Sequence, residues 1–400
     1  MTKPLLLLAA PSRESQDKAA HFSAAAKSLG LPVWTIVSDR ADVADSRVGS
    51  RDFCLAITCS DALALCAARL NERQGCGALS AALIEALSDK ATGVPMLSRM
   101  LNLPLLPQCL PLTPDDISAW SWSGPIFVKP TRSAGGWSPR PWGYRHFGDK
   151  KSFMNWLNLE NHADRFFSEQ RQPTLLGPAV LQAAVLDGRS EAAMLLLTRS
   201  RLQVIYSGLG EFETDRGDGS GPRWRRAIYC SDAAPELVER LPHLKNQRDQ
   251  DPKAWGIGLL HAQGIRSSHG FHVTDINLRL STSWDWLAAA VDSGAHRRLL
   301  SSLLFDTSFD YTPQAPVMTV DLINGDASRT IVRVEHSKLP PRILPVRLTA
   351  QDCRAPLGGF DNAGSSPCFV TLGDDVESCI ARAEAFRAGI RIEYAPEAAQ

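Results

Sequence analysis

The sequence has no C-x-x-C pair, no apolar run of membrane-spanning length, no excess charge of either sign, and no G-x-G-x-x-G after its first predicted strand. Each absence removes a class of function. The nine cysteines (Cys54, Cys59, Cys66, Cys76, Cys109, Cys230, Cys353, Cys368 and Cys379) are odd in number and sit mostly in apolar contexts. They share no metal-ligand spacing with the histidines, so neither a disulfide framework nor a zinc site is expected. Reduced, buried thiols in a cytoplasmic protein are the expected state. Lys+Arg and Asp+Glu are balanced at 43 each, which leaves no global field to recruit nucleic acid or an anionic membrane. The opening "MTKPLLLLAAPSRES" has Lys3 before a short apolar run and Ala9 and Ala10 after it, the outline of a signal peptide. That run is far shorter than the roughly 18 residues of a membrane span. A regular βαβ pattern continues from it, so a buried first strand is expected. The turn "APSRES" lacks the glycines that let backbone approach a pyrophosphate, which disfavours a nicotinamide dinucleotide.

What is present is a chain of 400 residues, 44% apolar and 22% charged, a composition of globular proteins with length for two or three domains. "PLLLLAA", the helical spacing of Ala20, Phe22, Ala25 and Leu29, then "LPVWTIVS" and "DFCLAIT" alternate strand and helix, which predicts a parallel Rossmann-like sheet. Helical patterning returns in "DALALCAARLNE" and "ALSAALIEALSDKATGVPMLSRMLNLP", and Pro104, Pro107 and Pro111 mark a connector. Further on, "GPIFVKP", "PAVLQAAVLDG" and "AWGIGLLHAQGIRSS" read as strands, "AAMLLLT" and "LQVIYSG" as a hairpin, and "GEFETDRGDGSGPRWRRAIYC" as a mobile, charged loop. The last quarter holds strands at "APVMTVDLI", "TIVRVEH" and "PCFVTLG" and a helix at "VESCIARAEAFRAGI".

The stretch "TDINLR" carries the most chemistry. On a strand Asp275 and Asn277 point the same way, as hard oxygen ligands for Mg²⁺, and Arg279 extends the row toward an anion. An edge strand with a solvated polar face would read the same way. Upstream, "IFVKPTRSAGGWSP" delivers Lys129 from an apolar strand into a Gly-bearing turn, and "SDKATG" opens a helix with Lys90.

These parts, in this order, resemble the ATP-grasp superfamily, of which biotin carboxylase and the D-alanine ligases are members. The matching motifs are a D-K opening a helix, a V-K-P before a Gly-rich loop, a hinge strand and an E-x-N-x-R metal strand, over roughly residues 1 to 300. The tail "AGSSPCFVTLGDDVESCIARAEAF" is similar to predicted ATP-dependent carboligases related to biotin carboxylase, some linked to methanopterin or methanofuran one-carbon metabolism.

The resemblance implies an α/β chain with a Rossmann-like pre-ATP-grasp domain over residues 1–88. An ATP-binding catalytic region would follow over 89–305, and a small α/β region over 306–400 would pack on it. It implies ATP and Mg²⁺ as cofactors and a carboxylate and an amine as small-molecule partners, and it allows a homodimer. Lys90 and Lys129 would contact phosphates, and the loop with Arg132, Ser133, Gly135 and Gly136 would close over them. Gln182, Ala183, Ala184 and Val185 would line the adenine side. Asp275 and Asn277 would hold metal, and Arg279 would steady an acyl phosphate or carboxylate. The sequence departs from the pattern at three points. Asp275 stands where glutamate is usual, and Gln182 where a carboxylate is often seen. The window for the preceding acidic ligand, "HAQGIRSS", holds only Gln263 as a stand-in. A catalytically degenerate relative, serving as a nucleotide-binding or assembly partner, is the competing reading.

Three other features have a bland and a functional reading. Arg223, Arg225 and Arg226 around Trp224 could grip a polyanion or be a solvated basic loop. His261, His269 and His272 gather near the turn before Asp275 and are expected to be structural or solvent-facing, with acid/base work on a substrate as the functional reading. Trp284 and Trp286 are expected to pack a helix start, with Ser283 as its cap.

Overall fold

The computed structural model describes residues 3–395 except 133–144, 160–161, 172–176, 186–187, 214–222, 232, 312, 324–329 and 354–365. Strand Leu5–Ala9 is buried along its whole length and lies between Val33–Val37 and Leu55–Thr58, parallel to both. An unbroken apolar run is what a strand covered on both faces requires. Helix Arg13–Ser28 starts where the Ser12 hydroxyl accepts the Ser15 N–H and buries Phe22, Ala25 and Ala26. The expected buried first strand and Rossmann-like unit are thus present. No helix among the described residues is long and apolar enough to cross a membrane.

The centre of the molecule is an eight-stranded antiparallel sheet. Its strand order is Gly270–Asn277, Gly258–Ser267, Arg189–Leu197, Leu202–Glu213, Arg223–Tyr229, Val317–Leu322, Cys368–Gly373 and Ile343–Arg347. The last quarter of the chain therefore shares this sheet with the middle of the chain, rather than only packing upon it. Pro345 lies in the outermost strand, where a residue without an N–H interrupts least. One face of the sheet packs Met194, Leu196 and Leu259 against Leu5, Leu7 and Phe22 of the N-terminal unit and against Trp284 and Leu299. The other packs Leu195, Leu260, Val273 and Ile276 against Leu83, Leu87, Val94 and Leu97 of two consecutive helices. Those helices, Ala81–Ser88 and Lys90–Met100, divide at Asp89, whose carboxylate caps the second by accepting the Ala91 N–H.

A separate four-stranded sheet, ordered Gln108–Cys109, Ala179–Ala183, Ile126–Pro130 and Arg145–Phe147, has its own core. Ile126, Val128 and Leu181 pack there beneath Phe153, Trp156 and Phe166. Because alternate residues face opposite ways, Phe127, Lys129, Val180 and Gln182 look out on the other side, toward the large sheet.

Three expectations need correction. "GEFETDRGDGSGPRWRRAIYC" is not one loop. Strands Leu202–Glu213 and Arg223–Tyr229 pair through Glu213 and Arg223, and only residues 214–222 between them lie outside the described residues. The basic run is anchored there because Arg226, 1% exposed, meets Asp321 at 2.6 Å, Glu211 at 2.9 Å and Glu384 at 2.5 Å. Arg225 also reaches Glu384 at 2.5 Å. Arg225 and Arg226 hold acids of their own chain, so neither a substrate grip nor a solvated loop describes these two. Finally, the helix after Arg279 starts at Ser281, not Ser283; the Ser283 hydroxyl instead accepts from the Tyr229 phenol at 2.5 Å.

Gly93 sits where the two helices meet. A Cβ there would lie 2.3 Å from the Leu87 carbonyl oxygen, which is backbone and cannot swing aside. Gly93→Ala is expected to cost about 1–3 kcal/mol in urea unfolding; an unchanged midpoint would mean the helices separate freely.

Candidate functional site

Strand Gly270–Asn277 is the free edge of the large sheet, and its outer side is met by side chains rather than by another strand. The Lys129 ammonium, carried on the four-stranded sheet, donates to the Thr274 carbonyl. Lys90, at the first turn of its helix, lies with Nζ 3.3 Å from Asp275 Oδ1. One backbone bond sets the spacing of the two lysines, as the Lys90 N–H donates to the Thr131 carbonyl at 2.7 Å. Both side chains are buried, at 2% and 3% exposure. Burial, helped by the Lys90 charge and opposed by Asp275, pushes the Lys129 amine down to about 7. Two buried amines thus lie beside the Asp275 carboxylate, within reach of one anionic ligand.

The proposed metal ligands also converge. The register of the hairpin puts Gln263 directly across from Asp275, and Asn277 Nδ2 lies 3.5 Å from Gln263 Oε1. Asp275 Oδ1 accepts the Ile276 N–H at 2.9 Å. The donor set is one carboxylate and two amides. That fits one hard cation whose remaining ligands are phosphate oxygens and water; a second cation would lack charge compensation.

On the adenine side, Gln182 and Ala183 are buried, and Ala184 and Val185 continue at the strand end. The Ala183 and Ala184 N–H groups already donate to the Pro107 and Pro125 carbonyls. Gln182 Nε2 and Gln108 Oε1 are buried without hydrogen-bond partners. Their residues pair directly across the Gln108–Gln182 register, on the same face as Lys129. Buried polar atoms without partners are costly in a closed protein, and an adenine edge offers both a donor and an acceptor. Arg132 is half-exposed, 3.8 Å from Asp89. Ser133, Gly135 and Gly136 lie outside the described residues.

Arg279 occupies a second, deeper cluster that the sequence reading did not assemble. Its Nε donates to Asp61 at 2.7 Å, its Nη1 donates to the Leu280 carbonyl at 3.1 Å, and Glu14 lies 3.6 Å away. Lys18, fully buried, meets Glu14 at 2.5 Å and donates to Thr282 at 2.8 Å. Burial alone would raise the Glu14 carboxyl; the charges of Lys18 and Arg279 outweigh it and hold that group at about 2. Glu14 and Asp61 both follow parallel strands of the N-terminal sheet, at the carboxyl ends where open α/β sheets bind ligands. Here Arg279 fills that crevice. Of the three histidines, His261 is buried opposite Asn277. Burial, with Arg279 and Lys18 nearby, pushes it down to about 3, so it stays neutral. His269 is exposed on the turn, and His272 is held low, mainly by burial. His261 and His272 are thus buried residues of the two paired strands, and His269 lies exposed on the turn between them. Trp284 and Trp286 are core residues, Trp284 stacked at 9° on Tyr206.

The chain aligns over 99% of its length with 99% of the crystal structure of an L-amino acid ligase from Bacillus licheniformis, at TM-score 0.69 and 15% identity. The chain has the ATP-grasp fold. The biotin carboxylase domain of Hydrogenobacter thermophilus 2-oxoglutarate carboxylase, a dimer solved with MgADP and bicarbonate, aligns at TM-score 0.68 and 12% identity, over 98% of this chain and 91% of that one. Phosphoribosylglycinamide synthetase from Anaerococcus prevotii aligns at 0.62 and 12% identity, over 98% of this chain and all of that one. No protein-family model matches the sequence, and no curated protein matches it.

The depressed Lys129 amine has a consequence for stability. An unfolded lysine titrates near 10.4, so between about 7 and 10 the unfolded chain binds more protons and stability rises with pH. The penalty is complete below pH 7 and relieved above it. Lys129→Met is therefore expected to stabilise the ligand-free protein and raise its Tm, with a gain in unfolding free energy of about 2–4 kcal/mol at pH 6.5 or so and less near pH 9. A Tm gain independent of pH in thermal unfolding would contradict the buried charge.

Proposed function

We propose that the chain is an ATP-dependent ligase that joins a carboxylate to an amine through an acyl phosphate. The observation that carries this reading is the convergence of the buried Lys90 and Lys129 amines on the edge strand that bears Asp275, beside the partnerless Gln182 and Gln108 groups, between the two sheets. Lys90 and Lys129 bind the phosphate oxygens, and the strand end at Ala183 to Val185 lines the purine. Asp275, Asn277 and Gln263 hold one Mg²⁺, which when bound neutralises charge on the transferred phosphoryl group. A substrate carboxylate oxygen attacks the γ-phosphorus and ADP leaves. The amine then attacks the acyl carbon, phosphate departs with the C–O bonding electrons, and the amine loses its proton to solvent. This chemistry needs positioning and charge neutralisation more than a protein nucleophile. Arg279, held by Asp61 and Glu14, is the cation that steadies the acyl phosphate or carboxylate.

We also place the acid and amine in methanopterin- or methanofuran-linked one-carbon metabolism, a reading whose support is the tail motif at residues 363–386. A cytoplasmic homodimer is the assembly we propose, supported by the thiols without disulfide partners and by the dimeric biotin carboxylase neighbour.

One observation favours the second reading, a nucleotide-binding protein without ligase activity: the metal side has Gln263 where a second carboxylate would stand. ADP release measured against a panel of acids and amines separates the two. The ligase reading expects ADP only when both are present, with kcat/KM for ATP falling at least ~100-fold in Lys129→Met. Gln263→Glu is expected to tighten Mg²⁺-dependent ATP binding by roughly tenfold. Metal-independent ATP binding with no ADP from any pair would instead establish the second reading.

A further inference from the structure

Away from the Lys129 cleft, three side chains that lie far apart in sequence meet between helices. His21 comes from helix Arg13–Ser28, Asp285 from Thr282–Val291 and His296 from Ala295–Phe305. His21 Nδ1 lies 3.0 Å, and His296 Nε2 2.8 Å, from the same oxygen, Asp285 Oδ1. All three donor atoms lie within 4.8 Å of one another. Asp285 is completely buried, and its other oxygen, Oδ2, has no hydrogen-bond partner.

That distribution is a poor hydrogen-bonding arrangement. Two donors serving one buried carboxylate would satisfy it best by taking one oxygen each, since a buried acceptor left bare is costly. Here both imidazoles crowd one oxygen, with ring centroids 4.9 Å apart, and the second oxygen is left bare. A metal ion, by contrast, draws nitrogen and oxygen donors together around one point. Tetrahedral bonds of about 2 Å put ligand atoms about 3.3 Å apart, and here each histidine nitrogen lies 2.8 or 3.0 Å from the carboxylate oxygen, with all three donors within 4.8 Å.

We propose that His21, Asp285 and His296 bind one divalent transition-metal ion, with the donor set of a zinc site. Two imidazoles and a carboxylate suit Zn²⁺, whereas Mg²⁺ and Ca²⁺ select all-oxygen shells. The His21 side chain is 31% exposed, so solvent reaches the position left for a fourth ligand. Phe22 and Trp284 flank His296 at 6.1 and 5.5 Å and supply the dry wall that strengthens metal binding. The ion would staple the N-terminal helix to the two helices that follow Arg279. Lys18, three residues before His21, already reaches Thr282 across the same junction. The site is therefore structural, and it stands or falls independently of the ligase reading.

The test uses the full chain freed of metal by a chelator and then titrated with Zn²⁺ against a chromophoric competitor, and separately with Co²⁺. One Zn²⁺ per chain is expected, with a rise in Tm on addition and visible Co²⁺ bands of tetrahedral intensity. Asp285→Asn and His21→Gln should each weaken Zn²⁺ binding at least ~100-fold, while His243→Gln, on an exposed helix face, should leave it unchanged. If Asp285→Asn fails to fold, the half-exposed His21→Gln and the wild-type Co²⁺ spectrum decide the question. No stoichiometric Zn²⁺ and no Co²⁺ bands in the wild type would overturn the proposal. So would binding that survives both substitutions, which would be an adventitious ion only.

Discussion

Two buried amines at one sheet edge, with the Asp275 carboxylate beside them, are the constraint around which the rest of this structure is arranged. A buried ion costs several kcal/mol in an unrelieved protein interior, and at Lys129 Asp275 offsets only part of that cost, which is why burial still lowers the amine. The lysines come from different pieces of the fold, a helix packed on the large sheet and a strand of the small one. The Lys90 N–H to Thr131 bond and the Lys129 bond to Thr274 hold those pieces at the same edge strand. An edge strand is a hazard when its carbonyls are bare. Here it serves as a platform, because its outer side is given to cations instead of to another strand.

The N-terminal unit has lost the usual use of its parallel sheet. Glu14 and Asp61, at the carboxyl ends of two strands, would ordinarily face a ligand; they face Arg279. That ion cluster couples the unit to the segment just beyond Asn277, and the shared apolar core between Leu5, Phe22, Met194 and Trp284 makes the coupling rigid. The absence of glycines in "APSRES" follows from this arrangement, since no pyrophosphate has to approach there.

The alternating strands, the hairpin and the strand that carries Asp275 and Asn277 were legible in the sequence because each rests on local periodicity; Arg279 lies beyond the end of that strand, with Asp61 and Glu14. Lys90 and Lys129 were legible because short motifs with fixed neighbours deliver them. The eight-strand order was not. It joins Val317–Leu322 to Arg223–Tyr229, a strand formed nearly a hundred residues earlier, and Cys368–Gly373 to Val317–Leu322, and nothing local encodes those pairings. The burial of Arg226 was hidden for the same reason, since its acids come from Glu211, Asp321 and Glu384. Lys18, Glu14 and Asp61 look like ordinary helix-surface charges in sequence. Only the packing of the N-terminal unit on Arg279 gives them a role, as it brings His21 to Asp285 and His296.

The central claim is that Lys129 is kept partly neutral by burial until an anion arrives. Calorimetric titration of MgATP into the protein near pH 8, in buffers of different ionisation enthalpy, measures the protons taken up on binding. The account predicts net uptake approaching one proton per site, centred on Lys129 and lost in Lys129→Met. Tight MgATP binding with no proton uptake, or uptake unchanged in Lys129→Met, would contradict it.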